Sequence, residues 1–290
     1  MRFITLSILA MAATCALADD LKLKTPLRFE YNSYMGWSNF GGRARFSDGF
    51  WAGSGTAYPS VAGLTWEPEK GISAKVALGT GGYYNGTLAD QPCEAWIGVP
   101  VGKAKITAGK YWVPFAGQEW QYETKPGVMV GWESGSTTLS VSGQYDERTK
   151  RNNFYSRLSQ NFGSDASVGL SFGWGRGLSF GSSHNRGWAI DGGVESGNWA
   201  LSGEYMGLDD SGQSEFRFGY AKLAFNGAGR IQPFVANYSW NDAGGFFGRF
   251  RSTVYGLNYQ VTPYFSIEAA TAPTSAKQVS WLQFHWGYRF

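Results

Sequence analysis

The sequence predicts an all-β chain closed into a transmembrane antiparallel β-barrel, and three observations carry that expectation. Short runs of residues alternate apolar and polar side chains between turn signals, the pattern of a barrel strand. Glycine is abundant, at 41 residues, and aromatic residues make up 17% of the chain, a composition of strands and turns rather than helices. Beyond the first residues no apolar stretch is long enough for a membrane helix. A chain that crosses lipid without such a helix must close its sheet, because only closure satisfies every backbone polar group.

Sixteen alternating segments are legible, at 25–36, 60–69, 71–82, 93–101, 103–112, 127–134, 137–147, 152–162, 165–175, 186–195, 198–208, 214–225, 230–240, 252–261, 263–272 and 278–290. The ninth is the clearest, with Ala166, Val168, Leu170, Phe172 and Trp174 set against Ser167, Gly169, Ser171 and Gly173. The twelfth sets Phe216, Phe218 and Tyr220 against Arg217, and its parity slips near Lys222, which predicts a bulge or a different segment boundary. The thirteenth sets Phe234, Ala236, Tyr238 and Trp240 against Asn237 and Ser239. Connections after even-numbered segments are tight, as at Val101-Gly102-Lys103, Gly163-Ser164 and Gly197-Asn198, and those after odd-numbered segments are longer and polar. Short turns on one side and long loops on the other is a barrel layout, with short turns toward the periplasm. Fourteen and eighteen strands are the alternatives. Asp48-Gly49, flanked by Phe46 and Trp51, marks an extra hairpin in the first long connection.

One face of these segments carries Trp, Phe, Tyr, Leu and Val, and the other carries mostly Gly, Ser, Asn and Gln with isolated charges. That division fits lipid outside and water inside, whereas a soluble sandwich would charge its outer face richly. Trp66, Trp132, Trp188, Trp199, Trp240, Tyr264 and Tyr288 lie near segment ends, as interfacial girdles require.

Residues 1–18 read as a signal peptide: Arg2, an apolar run from Phe3 to Cys15, then Ala16-Leu17-Ala18 before the cut. Residues 19–290 form a single barrel domain. They hold one cysteine, Cys93, so no internal disulfide is expected. The two histidines, His184 and His285, have no metal-ligand spacing, and no cofactor or metal is expected. A formal net charge of +3 indicates no nucleic-acid partner. Catalysis at a barrel rim needs His with Asp, or His with Ser and Asn. Neither histidine has such a setting, so no enzyme is expected.

The final stretch, Trp281-Leu282-Gln283-Phe284-His285-Trp286-Gly287-Tyr288-Arg289-Phe290, resembles the closing strand of bacterial outer-membrane proteins. The resemblance implies that Phe290 is an assembly signal recognised by the barrel-assembly machinery. Ala108-Gly109-Lys110-Tyr111-Trp112-Val113-Pro114-Phe115-Ala116-Gly117 is similar to the end of the fifth strand in porins, including phosphate-selective ones. There a third loop folds back into the pore. The sixteen-segment layout is similar to general porins, which are commonly homotrimers.

Sixteen strands leave an aqueous channel, and the expected function is an outer-membrane porin for passive diffusion of small hydrophilic solutes and ions. The polar parity predicts a lumen lined by Arg28, Lys75, Lys105, Arg157, Arg217 and Arg289 with Glu30, Glu94, Glu133, Asp191, Glu204 and Glu268. Six charges of each sign predict no strong ion selectivity, and about half are expected to pair across strands. Loop 113–126 is the expected constriction, offering Glu119, Trp120, Tyr122, Glu123 and Lys125. The long loops lean basic, with Arg43, Arg45, Arg148, Lys150, Arg151, Arg176, Arg186, Arg249 and Arg251, and outer-membrane lipid, including lipopolysaccharide, is an expected partner. Two other functions fit the same barrel. One is a channel specific for a sugar or an anion, with Trp96, Tyr111, Trp120 and Tyr122 as an aromatic slide. The other is a non-conducting structural or adhesin-like barrel.

Overall fold

The structure, a computed structural model, describes residues 26–39, 45–48, 60–81, 92–117, 124–147, 149–175, 185–209, 215–242, 248–273 and 278–289. The expected signal segment 1–18 lies outside them. Among the described residues every regular element is a strand. β1 (Leu27–Ser38), β2 (Arg45–Asp48), β3 (Ser60–Trp66), β4 (Ser73–Gly81), β5 (Pro92–Val101) and β6 (Ala104–Trp112) come first. β7 (Thr124–Ser134), β8 (Thr137–Asp146), β9 (Arg151–Phe162), β10 (Ala166–Trp174), β11 (Arg186–Ser196) and β12 (Trp199–Asp209) follow. β13 (Glu215–Phe225), β14 (Ile231–Asp242), β15 (Gly248–Thr262), β16 (Phe265–Pro273) and β17 (Gln278–Arg289) complete the wall.

From β3 to β17 each strand pairs antiparallel with the next. β17 then returns to β1, with Glu30 opposite Arg289 and Ser38 opposite Trp281. The sheet closes on itself through β1 and β17, as a strand structure in lipid must. The other edge of β1 is shared. β3 takes Leu27 through Asn32, and β2 takes Met35 through Ser38. The wall therefore has sixteen strands, and β2 is a short additional strand that pairs back onto the end of β1; Gly49 and Trp51 of the hairpin expected at Asp48-Gly49 lie outside the described residues. The tight turns follow from their residues. Gly135-Ser136 and Gly197-Asn198 are two-residue hairpin turns whose glycines sit at φ 60° and 56°, the left-handed region such turns need.

The two faces of the wall separate by contact. Residues just after β6 touch side chains on β9, β10, β11 and β12, and only the barrel interior allows that reach. On the opposite, outward face Leu170, Phe172 and Trp174 are exposed, the last at 64%. Val76, Ile97, Val130, Leu158, Ile190, Leu201 and Leu257 join them in an apolar belt. Such a belt is stable only against hydrocarbon. Leu170→Arg, in the middle of β10, is therefore expected to destabilise the folded barrel in bilayers by about 2–4 kcal/mol. Urea titration of vesicle-inserted protein reads this directly. A neutral effect there would place Leu170 away from lipid.

β13 and β14 turn opposite faces from those expected. Leu223 lies opposite Leu201 and Gly219 opposite Tyr205, both outward on β12. Phe216, Phe218, Tyr220, Lys222 and Ala224 consequently all face inward, and Arg217 faces outward. No bulge occurs at Lys222, since the register runs unbroken on both sides of β13. The slip in the sequence arises because the inward positions change from aromatic to cationic along one strand. Tyr238 opposite Tyr220 and Trp240 opposite Phe218 likewise turn the aromatic side of β14 inward. Trp240 is 6% exposed and belongs to the interior, not to a girdle. Trp66, Trp132, Trp199 and Tyr264 are exposed at the short-turn end, as a girdle requires.

The buried core thus lies on the inner surface of the wall. Met206, Leu208, Phe216, Phe218, Tyr238, Trp240, Val254 and Trp281 form one cluster with Val113 and Phe115. Within it the Tyr220 and Tyr238 rings approach to 4.8 Å. A sixteen-stranded lumen is too wide for wall side chains to meet across it, so this apolar inner wall needs a cover. Val113, Phe115 and Ala116 supply part of it.

Candidate functional site

The site is built on the segment that leaves β6. At Gly109 the strand adopts φ 125°, and a Cβ there would sit 2.7 Å from the Trp96 Cα of β5. Only glycine suits that close backbone approach. After Trp112 the chain turns inward, with the Phe115 N–H donating to the Val113 carbonyl at 2.9 Å. The Phe115 ring meets Tyr155 of β9 edge-on, with centroids 6.2 Å apart. It also fills the space left by Gly187 of β11, where a Cβ would come within 3.0 Å of it. Burying a phenylalanine contributes about 1.5–3 kcal/mol, enough to hold a short segment against the wall. Ala116 follows at φ 61°, and its N–H donates to Ser171 Oγ of β10 at 3.0 Å. Gly117 then abuts two carboxylates. A Cβ on it would stand 2.9 Å from Glu204 Oε2 and 3.1 Å from Asp191 Cβ.

Ala116 holds a conformation that costs an L-residue about 1–2 kcal/mol. Ala116→Gly is expected to leave the folded barrel within about 1 kcal/mol of wild type, because relief of that strain is offset by the extra chain entropy and the loss of a buried methyl. The midpoint of urea unfolding in detergent checks it.

Residues 118–123 lie outside the described residues, and with them Glu119, Trp120, Tyr122 and Glu123 of the expected constriction. Lys125 is placed differently from the expectation, in β7 rather than in a loop. Its Nζ pairs with Asp146 Oδ2 of β8 at 2.8 Å and donates to the Tyr155 hydroxyl at 3.1 Å. Lys125 is 3% exposed and Asp146 1%. Around this pair Tyr111 and Ser142 share a hydrogen bond of 2.9 Å, and the Asn153 amide donates to the Tyr155 hydroxyl at 3.3 Å. Tyr155 therefore grips both ends of the segment, Phe115 by its ring and Lys125 by its hydroxyl.

The register and contacts place the other expected lining residues as follows. Arg28 stands at the short-turn rim, 3.5 Å from Glu67. Lys75 bridges Glu30 and Glu94, with Glu94 Oε1 at 2.7 Å. Trp96 Nε1 donates to the second oxygen of Glu94 at 3.1 Å. Lys105 faces inward with its ammonium 5.1 Å from the Trp96 ring centre. Glu133 is exposed at the short-turn rim beside Gly135. Arg157 holds Asp191 in a bidentate pair, at 2.5 and 2.7 Å, and donates to Ser171 at 3.0 Å. Glu204 is buried beside Gly117, and Glu268 accepts from Trp281 Nε1 at 2.9 Å. Arg289 ends β17 opposite Glu30 of β1. Phe290 lies outside the described residues. Arg217 is the exception. It faces outward, 2.6 Å from Asp209 and 3.4 Å from Glu215.

Three contributors went unseen in the sequence. Asp146 and Tyr155 announce their roles only once β7, β8 and β9 stand side by side. Lys222 is the third, at a cavity of about 700 Å³ near the short turns, lined also by Asn161, Ser167, Ser202 and Gln232. Its ammonium lies 4.3 Å from the Phe234 ring centre. The break in parity at Lys222 was a signal, but it pointed to a bulge rather than to a change in the lining.

No protein-family model and no curated protein matches this sequence. Solved structures match its fold over nearly their whole length. The anion-selective porin from Comamonas acidovorans aligns with TM-score 0.66 at 10% identity, over 91% of this chain and 98% of that one. OmpF of Salmonella typhi, solved with daunomycin, gives 0.65 at 8% identity, over 90% and 97%. The chain has the porin fold. A trimer form of OmpT, an outer membrane protein of Vibrio cholerae, aligns at 0.63 with 12% identity, over 90% and 98%. At such identities the likeness speaks for the architecture of the porin barrel, and the arrangement of charges inside it is this chain's own.

Proposed function

We propose that this porin barrel sits in a bacterial outer membrane and forms a water-filled channel for passive diffusion of small hydrophilic solutes and ions. One observation carries the reading: a segment from within a closed sixteen-stranded wall is pinned across its interior, from β6 to β10 and β12. Sixteen strands leave an aqueous passage, and loop 113–126 narrows it. Glu119, Trp120, Tyr122 and Glu123 are assigned to that constriction, with Phe115 and Lys125 as its anchors. The inner wall from β12 to β17 is mostly apolar and buried, so solutes pass along the charged wall of β1 and β4 to β11. Glu30, Lys75, Glu94, Lys105, Arg157 and Asp191 give that wall both signs, so discrimination between anions and cations is weak. Arg28, Glu133 and Arg289 stand nearer its ends, and Glu204 and Glu268 lie against the mostly apolar side.

The signal peptide 1–18 directs export, and the strand ending at Phe290 is the handle for the barrel-assembly machinery. Three copies assemble in the membrane, where lipid and lipopolysaccharide surround them. Liposome swelling tests the channel. Vesicles carrying the refolded chain should admit pentoses and hexoses at rates that fall with solute size. Swelling no faster than that of protein-free vesicles would contradict it.

A further inference from the structure

The outward face of β13, β14 and β15 changes character halfway along. From the short-turn end, β13 presents Phe225, Leu223 and Ala221, β14 presents Ile231, Pro233 and Val235, and β15 presents Tyr259, Leu257 and Tyr255. Beyond them the same face carries Arg217 on β13, Asn237, Ser239 and Asn241 on β14, and Thr253, Arg251 and Arg249 on β15. β10 shows no such change and is apolar outward as far as Phe172 and Trp174. At about 3.3 Å per residue and a tilt near 40°, three alternate rows reach about 10 Å and five about 20 Å. Barrels of this kind carry an outward apolar band about 25 Å tall. Part of this polar face therefore stands at a depth that is hydrocarbon elsewhere on the wall, where it is stable only against a polar partner.

The face is one contiguous patch. Asn241 lies opposite both Arg217 and Arg249, and Ser239 lies opposite Arg251. The Arg249 Nε donates to Asn241 Oδ1 at 3.1 Å, and Asn237 donates to Thr253 Oγ1 at 3.2 Å. Arg217 is neutralised by Asp209 and Glu215. Arg249 and Arg251 are exposed and form no ion pair among the described residues. The patch thus holds surplus positive charge on planar guanidinium forks, flanked by amide and hydroxyl donors. Guanidinium pairs suit phosphate oxygens, which they bind by paired hydrogen bonds.

We propose that the outward face of β13–β15 binds the phosphate groups of an outer-leaflet lipid, with Arg249 and Arg251 as the principal contacts and Asn241 and Ser239 beside them. The site rests on the outer-membrane placement above and gives its lipid partner an address on the wall.

Wild-type protein and R249Q/R251Q, refolded in nonionic detergent, are titrated with lipopolysaccharide, with the same lipopolysaccharide stripped of its phosphates, and with inorganic phosphate. Native mass spectrometry reads the bound fraction and the number of copies per particle. Binding of intact lipopolysaccharide is expected to weaken about ten-fold or more both in the variant and on loss of the phosphates. Equal affinity across either comparison overturns the site. So does inorganic phosphate binding as tightly as the lipid, which would make this a small-anion site. A variant with unchanged lipid affinity but a changed number of copies would make the face a protein contact, and overturns it too. Heat-modifiable migration certifies the fold of each variant, and single Arg251→Gln replaces the double variant if that one does not fold. Lipid binding by a wild type that never conducts would discard the channel and keep the site.

Discussion

Replacing residues 113–123 with Asn-Gly is expected to raise single-channel conductance about two-fold or more, because the narrowest cross-section of an aqueous pore governs its conductance. The replacement suits the wall, since Trp112 lies opposite Thr124 and the two strand ends can meet in a two-residue hairpin. It removes Phe115 and Ala116 and so uncovers part of the apolar inner wall around Leu208. Channel openings are expected to become noisier as well as larger. Tyr155→Phe is the complementary, milder change. It keeps the ring against Phe115 and deletes the hydroxyl that accepts from Lys125, so the mean conductance should stay near wild type. Unchanged conductance after the loop replacement would remove this segment from the solute path.

Asp146→Ala is expected to cost about 3–5 kcal/mol of barrel stability, because it removes a buried carboxylate 2.8 Å from the Lys125 ammonium. Lys125 and Asp146 are among the most deeply buried charged groups of the described residues, at 3% and 1% exposure. Removing both partners together is a different experiment. K125M/D146L replaces the pair with apolar side chains of similar size and should recover most of the loss. Urea midpoints of the three proteins in one detergent would measure it. Equal midpoints for wild type and Asp146→Ala would mean that water reaches the pair. The same single variant loosens the far end of the segment, so its channel openings should also flicker more.

Strand positions were legible because alternation is a local property. The ninth segment, 165–175, needed only its own residues to be read, and β10 spans Ala166–Trp174. The direction in which a strand faces is not local. On β13, Phe216, Phe218 and Tyr220 looked like a lipid face because large apolar side chains usually meet lipid. The register with Tyr205 and Leu201 turns them inward, where a segment folded into the lumen covers part of that wall. Arg217 was misplaced for the same reason, since polar parity was equated with the lumen. Asn237 and Ser239 on β14 reinforced that reading, because nothing within the strand says which of its two faces has a cover.

The candidate site divides in the same way. The inward course of the chain after β6 was legible through Gly109 and the Pro-Phe-Ala-Gly run. Its anchors were not, because they come from strands far along the chain. Tyr155 stands on β9 and Ser171 on β10, and neither has a neighbour in sequence that marks it. Lys125 looked like a loop residue because Pro126 and Gly127 follow it, and those residues usually end a strand. In β7 they pair with Lys110 and Gly109 of β6 and extend the wall upward by three residues. Arg217 leaves the interior and Lys222 enters it, so a cation is exchanged for a cation.

Conductance of the refolded chain in a planar bilayer, in simple salt, tests the open channel most directly. Stepwise openings of one stable size are expected, with a reversal potential in a salt gradient close to that of an unselective pore. A heat-modifiable barrel that inserts into the bilayer and never conducts would contradict a porin and leave a plugged, structural barrel in its place.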